Sequence, residues 1–363
     1  MTHSQRRERL AARLAADGLD ALLVSDLVNV RYLSGFSGSN AALLVFAGDT
    51  PTVLATDSRY RTQAARQSPD VETVIERACG RHLVGRAVAD GATRIGFESN
   101  VVTVDGADVL ARALDDHPAA ELVRASGRVE ALREIKDAGE IALLRLACEA
   151  ADAALAELVA GGGLRPGRTE REVGRQLEAL MLEHGADGPS FETIVATGAN
   201  SAIPHHRPTD AVLASGDFVK IDFGALVGYH SDMTRTFVLE AAADWQLEIY
   251  DLVAASQRAG RDALDIGTEL RDVDGAARQV IVDAGYGEYF GHGLGHGVGL
   301  QIHEAPGINS AAAGTLLAGS VVTVEPGVYL PDRGGVRIED TLVVGERSPE
   351  LLTRFPKELA ILT

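Results

Sequence analysis

The chain has 363 residues, 46% of them hydrophobic, which is longer than one typical core and rich enough in apolar residues for ordered packing rather than disorder. Its formal net charge of −18 repels phosphate backbones and anionic lipid, so neither nucleic acid nor membrane is an expected partner. No apolar run approaches the roughly 20 residues of a membrane span. Residues 1–7 lead into an amphipathic helix instead of a secretory signal, so a cytoplasmic location is expected. Cys79 and Cys148 are isolated and indicate neither a disulfide framework nor a thiolate metal site.

Residues 5–16 place Leu10, Ala11 and Leu14 at helical spacing, and Asp17-Gly18 ends the helix. A strand is expected at 21–24, a turn-rich link at 29–36, and strands at 41–46 and 52–55. Asp57-Ser58-Arg59-Tyr60 leads into a helix; strands follow at 71–75, 94–97 and 121–123, with helices near 81–90 and 105–114. Strands alternating with helices describe an α/β domain at residues 1–130. Composition then changes to an alanine-rich helix over 137–159, closed by Gly161-Gly162-Gly163. Thr169 with Glu172 three residues on is a capping-box pattern for the next helix, which runs to 183. Strand-like segments and helices at about 244–260 and 269–284 complete a second domain at 131–363, which is α+β, with antiparallel strands and helices gathered on one side.

Four carboxylates stand in or beside apolar strands of this second half. Asp222 lies in the middle of Phe218-Val219-Lys220-Ile221-Asp222-Phe223, where a lone buried charge is costly, so a cationic partner or a metal is expected. The next strand, 229–238, would pair as a hairpin and carries His230, Asp232, Thr234 and Thr236 on one face. Downstream, Val321-Val322-Thr323-Val324-Glu325 puts Glu325 beside Thr323, and parity puts Arg337, Glu339 and Thr341 on one face of the following strand. Two strand pairs, each offering two carboxylates, point to an internal pseudo-repeat.

Between these pairs, Gly291-His292-Gly293-Leu294-Gly295-His296-Gly297-Val298-Gly299 alternates glycine with other residues. If extended, it would place His292, Leu294, His296 and Val298 on one face and bare backbone on the other. The flanking strand, helix and acidic residue of a dinucleotide loop do not line up. Adding His296 gives four carboxylates and one imidazole, a set that two divalent cations would balance and whose oxygen donors favour Mn²⁺ over thiolate-seeking metals. Plain structural roles compete: Arg235 could pair with Asp222 or Asp232, Arg337 with Glu339, and Glu325 could sit at a solvated strand end.

In the contexts Ile-Asp-Phe-Gly-Ala, Ser-Asp-Met-Thr-Arg-Thr, Gly-His-Gly-Val-Gly, Val-Glu-Pro-Gly-Val-Tyr and Arg-Ile-Glu-Asp-Thr, these five residues resemble the metal-dependent pita-bread peptidases. That is the family of methionine aminopeptidase, Xaa-Pro aminopeptidase and Xaa-Pro dipeptidase (prolidase), and the resemblance covers essentially all of residues 131–363. Asn-Val-Arg-Tyr-Leu-Ser-Gly-Phe-Ser-Gly-Ser-Asn and Asp-Ser-Arg-Tyr are similar to stretches of its creatinase and prolidase branch. The resemblance implies a creatinase-like α/β N-terminal domain followed by a pseudo-symmetric pita-bread domain with a curved antiparallel sheet, and a homodimer. It implies two divalent ions, Mn²⁺ first with Co, Zn or Fe as alternatives, with Asp222 and Glu339 bridging, Asp232 on one ion, and His296 and Glu325 on the other. The reaction it implies is hydrolysis of the Xaa-Pro bond at the N-terminus of short proline-containing peptides by a metal-activated hydroxide. Glu325 would carry a proton to the leaving nitrogen, and His205 and His303 would hydrogen-bond the carbonyl oxygen or tetrahedral intermediate. Arg337 would orient carboxylates and substrate, and His292 and His206 would bind substrate, a solvated neighbour of His205 being the plainer role for His206.

A strict dipeptidase needs a fixed cation for the proline carboxylate, for which Arg31, Arg59, His206 and Arg207 are candidates. The Asp-Ser-Arg-Tyr stretch tilts the reading toward aminopeptidase capability. A non-catalytic binding protein and a metal-free creatinase-like hydrolase on the same fold are the competing classes, and both sit poorly with five ligand positions in place.

Overall fold

In the computed structural model, which describes residues 1–363, the chain separates into two units, Met1–Arg133 and Glu134–Thr363. The first is built on a six-stranded mixed sheet in the order Glu72–Ile75, Val53–Thr56, Ala41–Phe46, Ala21–Val24, Arg94–Phe97, Glu121–Arg124. Its central strands are continuous apolar runs because both faces are covered, and Leu23, Leu44 and Ile95 share a core with Leu83 and Val84 of the helix Cys79–Ala89. Residues 29–36 correct the expectation of a link: they belong mostly to the helix Leu27–Ser34. Asp26 caps it by accepting from the Val28 amide, and Gly35 closes it in the left-handed region at φ 79°.

In the second unit two halves repeat one plan. The helices Ala138–Ala160 and Glu170–Glu183 pack on a sheet ordered Ile361–Leu362, Met233–Leu239, Phe218–Phe223, Ile194–Thr197. Val173, Leu177, Leu180 and Met181 are the buried stripe of the second helix, spaced three and four residues apart, and Thr169 with Glu172 forms the expected capping box. The helices Asp244–Asp262 and Leu270–Asp283 pack in the same way on a sheet ordered Glu304–Ile308, Gly295–Gly297, Val321–Val324, Asp340–Val343, Glu350–Leu351. The equivalence extends to the backbone before each second helix: the Gly167 amide donates to Leu213 O and the Gly267 amide to Leu316 O, both at 2.9 Å. Thr169 bridges Val212 as Glu269 bridges Thr315.

The halves join where the Glu339 amide donates to Thr234 O (3.1 Å) and the Thr236 hydroxyl donates to Arg337 O (3.0 Å). Three expected strands are shorter than their sequence patterns. The one read as carrying Arg337, Glu339 and Thr341 on one face breaks at Ile338-Glu339 into Gly334–Arg337 and Asp340–Val343. Residues 229–238 break at Ser231-Asp232 into Tyr229–His230 and Met233–Leu239, so Asp222 lies opposite Thr234 and Asp232 stands just beyond the ladder. The alternating glycine run forms a strand only at Gly295–Gly297, with the register slipping after His296, and Leu294 and Val298 turn into buried positions instead of joining the imidazoles. Its glycines give clearance: a Cβ on Gly295 would stand 2.0 Å from Thr323 O, and one on Gly297 2.1 Å from Ala305 O.

Candidate metal centre

The five residues converge although they come from five separate segments. Asp222 sits in the fully buried strand Phe218–Phe223, and Asp232 precedes Met233–Leu239. His296 is the middle of its three-residue strand, Glu325 follows Val321–Val324, and Glu339 lies in the kink between Gly334–Arg337 and Asp340–Val343. Donor atoms of Asp232, His296 and Glu339 all lie within 4.8 Å of one another. His296 Nε2 is 3.5 Å from Asp232 Oδ2 and 3.3 Å from Glu325 Oε1. Its Nδ1 faces Gly297 O at 3.1 Å, an acceptor that places a proton on Nδ1 and turns Nε2 toward the carboxylates.

Asp222 Oδ2 accepts from Arg337 Nη2, and Glu339 Oε2 accepts from the Thr234 hydroxyl at 2.7 Å. Their other oxygens, Asp222 Oδ1 and Glu339 Oε1, are buried with no hydrogen-bond partner. Such atoms cost free energy unless a cation meets them. Burial and the neighbouring carboxylates push Asp232 and Glu339 well above the usual carboxylate range. Glu325 is pushed up by burial, but His296 and Arg337 outweigh this and hold it at about 2. Two buried acids whose pKa values burial and neighbouring carboxylates raise, beside two bare buried oxygens, fit a divalent-cation site.

The plain partners considered for these acids are not the ones formed. Arg235 donates to Asp340 Oδ1 (2.9 Å) instead of reaching Asp222 or Asp232, and Arg337 binds Asp222 rather than Glu339. Glu325 is largely withdrawn from solvent, accepting from the Thr323 hydroxyl at 3.2 Å. The cluster opens into a cavity of about 980 Å³ lined also by Phe191, Ile194, Ile302, His205, His292 and His303.

Residues 142–346 match metallopeptidase family M24, and residues 6–135 match the creatinase/prolidase N-terminal domain. The chain belongs to this metallopeptidase family. It is 34% identical to the Xaa-Pro dipeptidase of Pyrococcus furiosus over 98% of this chain and 99% of that one. Among solved structures, the Xaa-Pro dipeptidase from Bacillus anthracis superposes with a TM-score of 0.94 at 38% identity, covering 99% of this chain and 100% of that one. The X-Pro aminopeptidase from Thermotoga maritima gives 0.86 at 33% identity, over 95% and 98% of the two chains. The two-domain fold is that of the creatinase and prolidase branch, and membership makes the protein a metal-dependent hydrolase.

Around the acids of this M24 peptidase, the histidines take unequal positions. His205 and His303 are exposed on the cavity wall, and the His303 ring meets His296 edge-on with centroids 4.4 Å apart. Burial and the adjacent His296 lower the His303 pKa, which keeps it neutral at pH 7 with one N–H to donate. His292 has both nitrogens engaged, Nδ1 with Gly293 O at 2.8 Å and Nε2 with the Tyr329 hydroxyl at 2.9 Å, so it offers the cavity a ring edge and not a free donor. His206 is no solvated neighbour: it is 8% exposed, and its Nε2 lies 2.8 Å from Glu170. In the first unit, Arg59 is held by Asp57 at 2.8 Å.

Three contributors escaped the sequence reading. The Tyr329 hydroxyl accepts from Arg337 Nη1 at 2.8 Å and donates its own O–H to His292 Nε2 at 2.9 Å. Lys220 is fully buried, with Nζ donating to Ile203 O at 2.7 Å; its signal was present, since it shares the face of Asp222 by parity. Glu170 looked like an ordinary acidic residue in a helix's first turn.

No helix is long and apolar enough to cross a membrane.

Proposed function

We propose that this peptidase hydrolyses the Xaa-Pro bond of dipeptides, and that Asp222, Asp232, His296, Glu325 and Glu339 would hold two divalent ions. The observation that carries this is the pair of buried, partnerless oxygens, one on Asp222 and one on Glu339. The donor set, four carboxylates to one imidazole and no thiolate, supports Mn²⁺ as the metal, with Co, Zn or Fe as the competing outcomes. Bound there, the ions would supply Lewis-acid polarisation of the scissile carbonyl and an acidified water.

The protein's own groups then have distinct tasks. Glu325, ionised and at the cavity edge, takes the proton of the attacking water and returns it to the leaving nitrogen, a transfer that the proton-less imide nitrogen of proline requires. His205 and His303 donate to the carbonyl oxygen as it gains charge. Arg337 holds Asp222 on one side and Tyr329 on the other, fixing both the acid and, through Tyr329, the His292 wall. Phe191, Ile194 and Ile302 give the cavity apolar surface for the pyrrolidine ring.

The dipeptidase names of the Pyrococcus and Bacillus relatives support the dipeptide substrate, while the Thermotoga neighbour favours the second reading, an Xaa-Pro aminopeptidase. Metal analysis combined with hydrolysis of Xaa-Pro against Xaa-Pro-Yaa tests both. We expect roughly two divalent ions per chain and faster turnover of the dipeptide; faster turnover of the tripeptide would move the assignment to aminopeptidase, and absence of stoichiometric metal would remove it. A homodimer is part of the same proposal, read out by light scattering of the purified enzyme.

A further inference from the structure

His205 reaches the cavity on a segment with little regular structure. Residues 197–209 contain one 3-10 turn, Gly198–Ala202, followed by irregular backbone. A side chain required to meet a particular oxygen needs that backbone held still.

One buried carboxylate holds it at both ends. Glu170 opens the helix Glu170–Glu183, and its side chain has no solvent exposure. Glu170 Oε1 accepts from the Thr197 amide (2.9 Å) and Asn200 Nδ2 (2.9 Å). Glu170 Oε2 accepts from the Thr209 amide (2.8 Å), the Thr209 hydroxyl (2.7 Å) and His206 Nε2 (2.8 Å). A carboxylate can only accept, so His206 carries its proton on Nε2 and is tied down next to His205. From the opposite side, Lys220 Nζ donates to Ile203 O (2.7 Å), and Arg337 Nη1 donates to Pro204 O (3.2 Å). The residues flanking His205 are therefore held both by the helix terminus and by Lys220 and Arg337 from two separate strands.

We infer that Glu170 is a positioning residue for the reaction, and that His206 is its arm and not a substrate ligand: together they fix residues 197–209 so that His205 meets the scissile carbonyl oxygen. This rests on the proposed role of His205. A purely structural fastener would move stability and leave the coupling to His205 at zero, which gives the two roles different signatures.

The test is a double-mutant cycle on the metal-loaded enzyme with an Xaa-Pro dipeptide, using Glu170→Gln, His205→Ala and the pair. The Gln amide turns a donor toward groups that are themselves donors, so the segment loosens. Glu170→Gln alone is expected to lower kcat on the order of 10- to 100-fold, with metal content unchanged and KM moved less. In the His205→Ala background the same substitution should lower kcat by less than about twofold. The inference is overturned if Glu170→Gln leaves kcat within about twofold of the parent, or if its full effect persists without His205. A neutral His205→Ala would instead remove the role of His205, and the inference with it. Should Glu170→Gln fail to fold, Asn200→Ala deletes a single arm of the hub; its smaller kcat loss must also vanish in the His205→Ala background, and a neutral or additive result sinks the proposal.

Discussion

Glu339 and Asp340 are consecutive and both buried, yet they belong to opposite kinds of surroundings. Asp340 is saturated: Oδ1 accepts from Arg235 (2.9 Å) and Thr353 (3.0 Å), and Oδ2 from Gln257 (2.8 Å) and Lys357 (2.6 Å). Burial pushes its pKa up, but Arg235 and Lys357 prevail and the net shift is downward. The Glu339 carboxylate has one hydrogen bond, from the Thr234 hydroxyl, and a bare second oxygen, and burial with acidic neighbours drives its pKa well up. The first acid fastens strands to the C-terminal segment; the second is left short of partners, as the metal-ligand role proposed for it requires. Burial alone therefore says little about a carboxylate's role, and the count of satisfied oxygens says much.

The largest expected effect breaks this contrast on the Glu339 side. Glu339→Ala should lose bound metal and lower kcat by more than the roughly 10- to 100-fold typical of residues that only support ligands. In metal-stripped protein the same change should leave the melting temperature unchanged or raise it, because a like-charged neighbour has been removed. Full activity with both ions retained would end the dinuclear assignment. On the other side, Asp340→Ala leaves Arg235 and Lys357 without their acid and should destabilise the fold by about 3–5 kcal/mol in urea unfolding. Its folded fraction should still bind metal. Loss of metal with little loss of stability would reverse the roles argued for the two acids.

A smaller effect separates ligands from donors inside the site. His303→Ala should lower kcat by about 10²- to 10³-fold, as for loss of one donor to a developing oxyanion, with metal content held. If the ions are lost instead, His303 joins the ligand set and the edge-on contact with His296 gains a different meaning.

What was legible in the sequence follows from the same contrast. Carboxylates in apolar strands stand out because the strand pattern forbids them, so Asp222, Asp232, Glu325 and Glu339 could be read as a set from parity and spacing. Their partners could not, since Arg337 meets Asp222 across 115 positions and no local period encodes that approach. Parity also failed where pairing lasts only three residues, and Leu294 entered the core beside a histidine strand that had been expected to carry it. Glu170 was hidden for another reason: an acid at a helix start satisfies the helix whether or not it also holds a distant loop. The helix Leu27–Ser34 was readable, with Asp26 and Gly35 at its two ends, but its arginine, asparagine and serine content resembled a link.

A third buried acid, in the N-terminal unit, sharpens the comparison by asking whether neutral donors can do the work of cations. Glu98 is 1% exposed and accepts from the Ser25 amide (2.6 Å), the Asp26 amide (2.7 Å) and Asn29 Nδ2 (2.7 Å). Burial outweighs these bonds, Glu130 adds repulsion, and the pKa rises from 4.5 to about 7. Because the folded form then holds a proton that the unfolded chain has released, stability is greatest below about 4.5, falls as pH rises to about 7, and is level above that. At about 1.4 kcal/mol per unit the total is on the order of 3 kcal/mol. Glu98→Gln cannot ionise, so relative to the parent it should gain stability between pH 5 and pH 8, as followed by hydrogen exchange of the Leu27–Ser34 amides. If the gap between variant and parent stays constant across that range, amide donors alone suffice to keep Glu98 charged, and saturation by hydrogen bonds, without any cation, is enough to make a buried acid a fastener.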